Sequence, residues 1–321
     1  MLVVVCPGQG AQSPGMLAPW LDLAGVADRL AGYSDIVGMD LVAHGTTSDA
    51  PTIRDTAVAQ PLLVATALAT FHALFDSGVL AIDAVAGHSV GELGAAAIAG
   101  VLTEREALEL VAVRGAAMAR AAAAAPTGMS ALLGGDPTEV LARLAELGLT
   151  PANVNGGGQV VAAGSLTALA ALSAAPPART RVIPLQVAGA FHTTTMAPAV
   201  AELAAKAATI TPADARLPLL LNADGAVVTA GTDALKRLVA QVANPVRWDL
   251  CQQAMQALGV TALLELAPAG VLTGLARRTL PGVETVAVKA PGDLDAARDL
   301  VRRHGGHPAA LTSPDLQENP S

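Results

Sequence analysis

Residues 82–99 constrain the fold more tightly than any other stretch of the chain. Ile82–Ala86 is a short apolar run with the composition of a buried strand. Gly87-His88-Ser89-Val90-Gly91 follows without a spacer, and Glu92–Ala99 is helical in composition. A strand that enters a helix through so few residues must turn sharply, and the two glycines let the backbones approach without Cβ clashes. A serine at the apex of such a turn is conformationally strained. It sits at a helix N-terminus, where free N–H groups and the helix dipole favour an oxyanion. G-x-S-x-G in this context reads as a nucleophile elbow; the competing reading is an ordinary glycine- and serine-rich strand-to-helix turn.

The same grammar recurs elsewhere. Leu2–Cys6 is an apolar, largely β-branched run stopped by Pro7-Gly8-Gln9-Gly10, which predicts a buried strand and a tight loop. Thr103-Glu104-Arg105-Glu106 has the capping-box pattern and opens a helix to about Ala124. Strands alternating with helices imply a parallel α/β sheet. From Pro126 the order changes. Met129–Gly134 reads as a strand, Asp136 caps a helix that stops at Gly148, and Ala152–Val154 and Gln159–Ala163 are short strands. Ser165 caps a helix to about Ala174, and Arg181–Val187 is a strand. That β-α-β-β-α-β order is the order of a ferredoxin-like insertion. The expectation is therefore an α/β parallel-sheet large domain over 1–126 and 189–303, an inserted ferredoxin-like small domain over 127–188, and a flexible tail over 304–321. Further strands are expected at Leu217–Asn222, Ala262–Leu266 and Thr285–Val288, with helices near 196–208, 232–242, 245–258, 270–278 and 292–303.

Composition removes several function classes. The 19 basic residues against 27 acidic leave a net charge of −8, so no basic stripe exists to displace the counterions of a nucleic acid. Aromatic residues are 2% of the chain, too few for a base-stacking platform. Thr56–Phe75 is uncharged and long enough to span a bilayer, but Gln60, Pro61, three threonines and His72 interrupt it. It is read as a buried helix starting near Pro61, with no membrane implied. The run Met1–Cys6 lacks the basic region of a signal peptide, and Cys6 and Cys251 lie far apart. They are expected as reduced core thiols of a cytoplasmic protein.

A serine nucleophile needs a base, and six histidines are available. His304 and His307 fall in the expected tail, His44 in a polar loop, and His72 within the apolar helix as a satisfied core residue. The side chain of His88 should project away from that of Ser89. His192 remains, in Gly189-Ala190-Phe191-His192-Thr193, where the small domain returns to the large one and a cleft is favoured. It is either the base or a structural histidine. Arg114 faces Leu110, Val111, Ala117 and Met118 at helical spacing. A guanidinium directed into that apolar face needs an anion, either an acid of this chain or a substrate carboxylate. Gly8-Gln9-Gly10-Ala11-Gln12 lacks both the third glycine of a dinucleotide loop and the lysine of a phosphate loop. Its better use is to supply a backbone N–H as a second oxyanion donor.

These motifs together resemble the bacterial malonyl-CoA:acyl carrier protein transacylases of fatty-acid synthesis. Pro7-Gly8-Gln9-Gly10-Ala11-Gln12, Gly87-His88-Ser89-Val90-Gly91-Glu92, Arg114-Gly115, Gly189-Ala190-Phe191-His192 and Asn244-Pro245-Val246-Arg247-Trp248 look like that family's signatures, in its order, over about residues 1–303. The resemblance implies a hydrolase-like large domain with the ferredoxin-like insertion. It implies Ser89 as acylated nucleophile, His192 as base oriented by the main-chain carbonyl of Gln241, an oxyanion hole from the N–H groups of Gln9 and Val90, and Arg114 on the malonyl carboxylate. Phe191 resembles the residue of malonyl-selective members and is expected to restrict the α-carbon. Arg181 sits where family members carry a basic residue implicated in carrier binding. Arg179, Arg277 and Arg278 are added to the docking candidates on charge alone, the alternative for all four being a solvated rim. The implied reaction is ping-pong malonyl transfer to the phosphopantetheine thiol of acyl carrier protein, for fatty-acid or polyketide elongation. It calls for no metal or redox cofactor, since coenzyme A and phosphopantetheine are substrate arms, and the protein is expected to be a monomer. Two other readings use the same residues. A serine esterase or thioesterase would release the acyl group to water without needing Arg114, and an idle carrier-protein docking module would form no acyl-enzyme.

Overall fold

The computed structural model describes residues 1–75 and 81–306. Its strands are β1 (Leu2–Cys6), β2 (Ala84–Gly87), β3 (Thr127–Gly134), β4 (Thr150–Gly156), β5 (Gln159–Ser165), β6 (Thr180–Pro184), β7 (Leu219–Leu220), β8 (Val227–Val228), β9 (Val246–Arg247), β10 (Ala262–Glu265) and β11 (Glu284–Ala287). They form a mixed α/β structure with two sheets. One runs in the order β11-β10-β1-β2-β7-β8, parallel throughout except for the β7–β8 hairpin.

The apolar run of β1 explains its central place. Leu2, Val4 and Cys6 point into the core that includes Leu62, Leu68, Leu108 and Val111, while Val3 and Val5 point into a second core with Trp248, Met255 and Leu275. A strand buried on both faces is expected to be continuously apolar, because successive side chains alternate between faces. The loops that leave β1, β2, β7 and β10 all lie at the carboxyl edge of this sheet, where open α/β sheets place their sites.

The other sheet has the order β6-β3-β5-β4-β9. Its first four strands are successively antiparallel to one another. Helices Pro137–Glu146 and Leu166–Ala174 join β3 to β4 and β5 to β6. The fifth strand, β9, comes from outside residues 127–188 and pairs in parallel with β4 through Asn153↔Val246 and Val154↔Arg247. Two residues carry too little hydrophobic periodicity to announce a strand, so β9 was not legible in the sequence.

Several local expectations are corrected. The long apolar helix spans Thr56–Phe75 and starts before Pro61, which lies inside it. Asp55 is the reason: its side chain accepts from Ala57 N and its carbonyl from Val58 N and Ala59 N, so the helix is capped one residue ahead of Thr56. Most of the helix is buried inside the fold, as a core helix is. His44 lies in the helix Leu41–Thr46, bonded to Ser48 Oγ, and not in a loop. His72 is bonded to Glu104, on the helix Glu104–Ala123 that Thr103 and Glu106 cap reciprocally. His304 ends the helix Leu294–His304 against Thr261 and Glu284 and does not belong to a tail; residues 307–321 lie outside the described residues. Helices Val26–Val37, Leu41–Thr46 and Ala50–Arg54 were not read from the sequence. Cys6 and Cys251 are free and buried.

Candidate active site

The elbow has the predicted geometry. A Cβ on Gly87 would lie 2.1 Å from the carbonyl carbon of Gly91, and one on Gly91 would lie 2.3 Å from the carbonyl oxygen of Cys6. Only glycine allows strand, helix and neighbouring strand to meet so closely. Ser89 has φ 53°, a left-handed value disfavoured for a residue with a Cβ. Among the described residues only Arg179 and His192 are other non-glycine residues with positive φ, at 56° and 59°. Two of the three strained positions therefore face each other in one site, as backbone strain at a functional centre would.

Ser89 Oγ lies 2.8 Å from His192 Nε2. His192 Nδ1 is 3.2 Å from the main-chain oxygen of Gln241 and 3.0 Å from the side-chain nitrogen of the same residue. With Nδ1–H donated to the carbonyl, Nε2 keeps a lone pair facing the serine, the tautomer a base requires. Burial, reinforced by the nearby Arg114 cation, holds the imidazole pKa down to about 3, so the ring is neutral at ordinary pH.

Arg114 is buried at 2% exposure. Its Nη1 donates to Gln60 Oε1 at 2.7 Å, and its Nη2 donates to Gln241 Oε1 at 2.9 Å and to Ser89 Oγ at 3.3 Å. All three acceptors are neutral, and no acid of the described residues forms an ion pair with it. The reading of Arg114 as half of a structural ion pair is thereby set aside by geometry. Burial lowers its pKa to about 10, still charged at neutral pH. The buried Glu92 acts on this cation through space, without a direct ion pair, so the groups that touch the guanidinium are amide and hydroxyl oxygens only.

Gln9 follows β1 and lines a cleft of about 210 Å³ together with Gly8, Ser89, Phe191, His192 and Val271. Among the described residues neither Gln9 N–H nor Val90 N–H donates to any acceptor. His88 points away from the serine, its Nε2 bonded to Asn155 Oδ1 at 2.9 Å and its ring edge-on to Trp248. The side chains of Arg179, Arg181, Arg277 and Arg278 are exposed and make no hydrogen bond or ion pair among the described residues. Arg181 sits on β6, and Arg277 and Arg278 end the helix Val271–Thr279 whose first turns line the cleft.

Four residues of the site escaped sequence reasoning. Gln60 had a signal, a lone amide in an uncharged apolar helix. The side chain of Gln241, as distinct from its carbonyl, had none. Nor had Asn222; Glu92, which it bonds behind the elbow, stood in the Gly87–Glu92 signature but without a role.

The profile of the acyl transferase domain matches residues 3–294. A malonyl CoA-acyl carrier protein transacylase of Mycobacterium tuberculosis is 53% identical over 302 residues, 94% of this chain and 100% of the relative. A crystal structure of MCAT from Mycobacterium tuberculosis superposes with a TM-score of 0.90 at 53% identity, covering 93% of this chain and 99% of that one. A malonyl-transacylase in complex with a type II PKS acyl-carrier protein superposes with a TM-score of 0.87 at 32% identity, covering 93% and 99% of the two chains.

Proposed function

The chain belongs to the acyl transferase domain family, and from that premise we propose that it transfers malonyl from malonyl-CoA to the phosphopantetheine thiol of acyl carrier protein, for fatty-acid or polyketide elongation. The observation that carries the reading is Arg114, a buried guanidinium with neutral partners, one of them the oxygen of Ser89 itself.

The geometry supports the following chemistry. Ser89 Oγ attacks the thioester carbonyl while His192 Nε2 takes its proton. The oxyanion is received by Gln9 N–H and Val90 N–H, and Arg114 holds the distal carboxylate. Collapse expels coenzyme A, whose sulfur takes the proton back from His192. The phosphopantetheine thiol then attacks the malonyl-serine ester, gives its proton to His192, and displaces Ser89, which is reprotonated. Gln241 needs no negative charge, since its carbonyl only holds Nδ1–H in place. No step draws on a metal or redox cofactor. Phe191, buried beside His192, narrows the space at the α-carbon. Arg181 with Arg179, and Arg277 with Arg278, are the surfaces offered to an acidic carrier.

The proposal extends to the architecture: a hydrolase-like large domain and an inserted ferredoxin-like unit over 127–188, supported by the strand order β6-β3-β5-β4. It also extends to a monomer working in the cytoplasm.

Intact mass after brief mixing with malonyl-CoA tests the reading. A malonyl adduct that is absent in Ser89→Ala and is discharged by holo carrier protein supports it. An adduct lost at once to water favours an esterase, and no adduct with carrier binding retained favours a docking module.

A further inference from the structure

The elbow is held from behind by a residue remote in sequence. Asn222 follows β7 and is fully buried, at 0% exposure. Its Oδ1 accepts from Ser89 N at 2.7 Å, and its Nδ2 donates to the Gly87 carbonyl at 2.8 Å. The ladder between β2 and β7 ends at Ala86↔Leu220, so no strand residue remains to pair with the backbone groups on either side of His88. The carboxamide, with one donor and one acceptor in a plane, takes the place of the missing ladder position. Asn222 is itself fixed on both sides. Its N–H donates to Glu92 Oε1 at 2.6 Å, and its carbonyl accepts from Arg247 N at 2.8 Å. Glu92 is buried at 2% exposure on the helix Gly91–Ala99 that the elbow opens.

We infer that Asn222, braced by Glu92, is a positioning residue that holds Ser89 in its left-handed turn. The inference rests on the reading of Ser89 as nucleophile. Without the carboxamide, Ser89 N–H and the Gly87 carbonyl lose their partners, and the turn is left to the backbone bonds His88 N to Cys6 O, Gly91 N to His88 O and Glu92 N to Ser89 O, so less opposes relaxation of φ toward the right-handed region. That relaxation carries Oγ away from His192 Nε2. The arrangement also divides the labour among backbone donors. Ser89 N–H is occupied by Asn222, so the oxyanion is left to Gln9 and Val90.

A small fluorophosphonate reads the elbow directly, because Ser89 Oγ displaces fluoride from it without any need for carboxylate recognition or a carrier. Its second-order rate is measured with the full chain for wild type, Asn222→Ala, Glu92→Ala and Glu92→Gln, beside kcat and KM for malonyl-CoA and the thermal midpoint. In Asn222→Ala the reagent rate and kcat should fall roughly a hundredfold, the scale of a displaced reacting group, with KM little changed. Glu92→Ala should fall in the same direction. Glu92→Gln, which keeps an oxygen for Asn222 N–H, should recover most of that loss, and this pair decides the matter if Asn222→Ala does not fold. Wild-type reagent rates in either alanine variant overturn the assignment. So does a Glu92→Gln as slow as Glu92→Ala, or a loss that appears in KM as much as in kcat. A wild-type chain inert to the reagent at Ser89 overturns the nucleophile and Asn222 with it. One that reacts with the reagent but not with malonyl-CoA overturns only the transferase reading, and the reagent rates still decide for or against Asn222.

Discussion

Replacing Arg114 with alanine separates recognition of the substrate from construction of the site. The guanidinium is 2% exposed and remains charged, its pKa lowered only to about 10 by burial. A charge-assisted contact with a carboxylate is worth about 1.5–3 kcal/mol. At 1.36 kcal/mol per decade, that is about 10- to 150-fold in kcat/KM. Exclusion of solvent places the expected loss for malonyl-CoA near the upper end, since water cannot screen the pair. Acetyl-CoA carries no carboxylate, so its transfer should stay level or rise. The truncation has a second effect. It leaves Gln60 Oε1 and Gln241 Oε1 without their donor, and the Gln241 amide lies against His192. The acetyl measurement registers that damage, because it needs Ser89 and His192 but not the cation. The assay is therefore kcat/KM for both thioesters with one holo carrier protein, with Arg114→Met as a variant that keeps bulk without charge. Equal losses for malonyl and acetyl would refute carboxylate recognition and leave Arg114 as a brace for the two glutamines.

Three further outcomes are expected. Phe191 should favour malonyl-CoA over methylmalonyl-CoA by about 10- to 200-fold, the usual value of one methylene, and Phe191→Ala should shrink that ratio; equal rates in the unaltered chain would remove Phe191 from the site. Arg181→Glu should slow transfer to the carrier and flatten its salt dependence while acylation by malonyl-CoA is unchanged, and equal impairment of both half-reactions would count against docking. Because the His192 pKa lies near 3, acylation should stay flat on acidification down to about pH 5, and a limb near pH 6.5 would show a solvated histidine instead. The same depression has a stability sign. Between 3 and the unfolded value of 6.5 only the unfolded ring binds the proton, so the stabilisation present above 6.5 is lost as pH falls through that window.

How much of this was legible in advance depended on whether a feature was local. The elbow at Gly87–Gly91, the capping box at Thr103–Glu106 and the helix caps at Asp136 and Ser165 each lie within a few residues and are observed where expected. The start of the long helix at Thr56 was missed because Asp55 caps it, and a proline six residues along drew the boundary instead. The two-residue strand β9 was missed because its pairing with β4 is its only distinguishing property.

Sequence by itself therefore determined what neighbours along the chain decide: alternation that buries β1 on both faces, glycines where strand and helix touch, and a serine at the turn between them. Whether Arg114 was paired with an acid of its own chain could not be read this way. Its partners Gln60 and Gln241 stand 54 and 127 positions away, and the carboxamide that holds Ser89 stands 133 positions away. An amide has no periodicity and no charge to betray its target, and the choice among distant acceptors is made by backbone packing. Only the tertiary structure could decide that the guanidinium meets neutral amide and hydroxyl oxygens and no carboxylate within ion-pair reach.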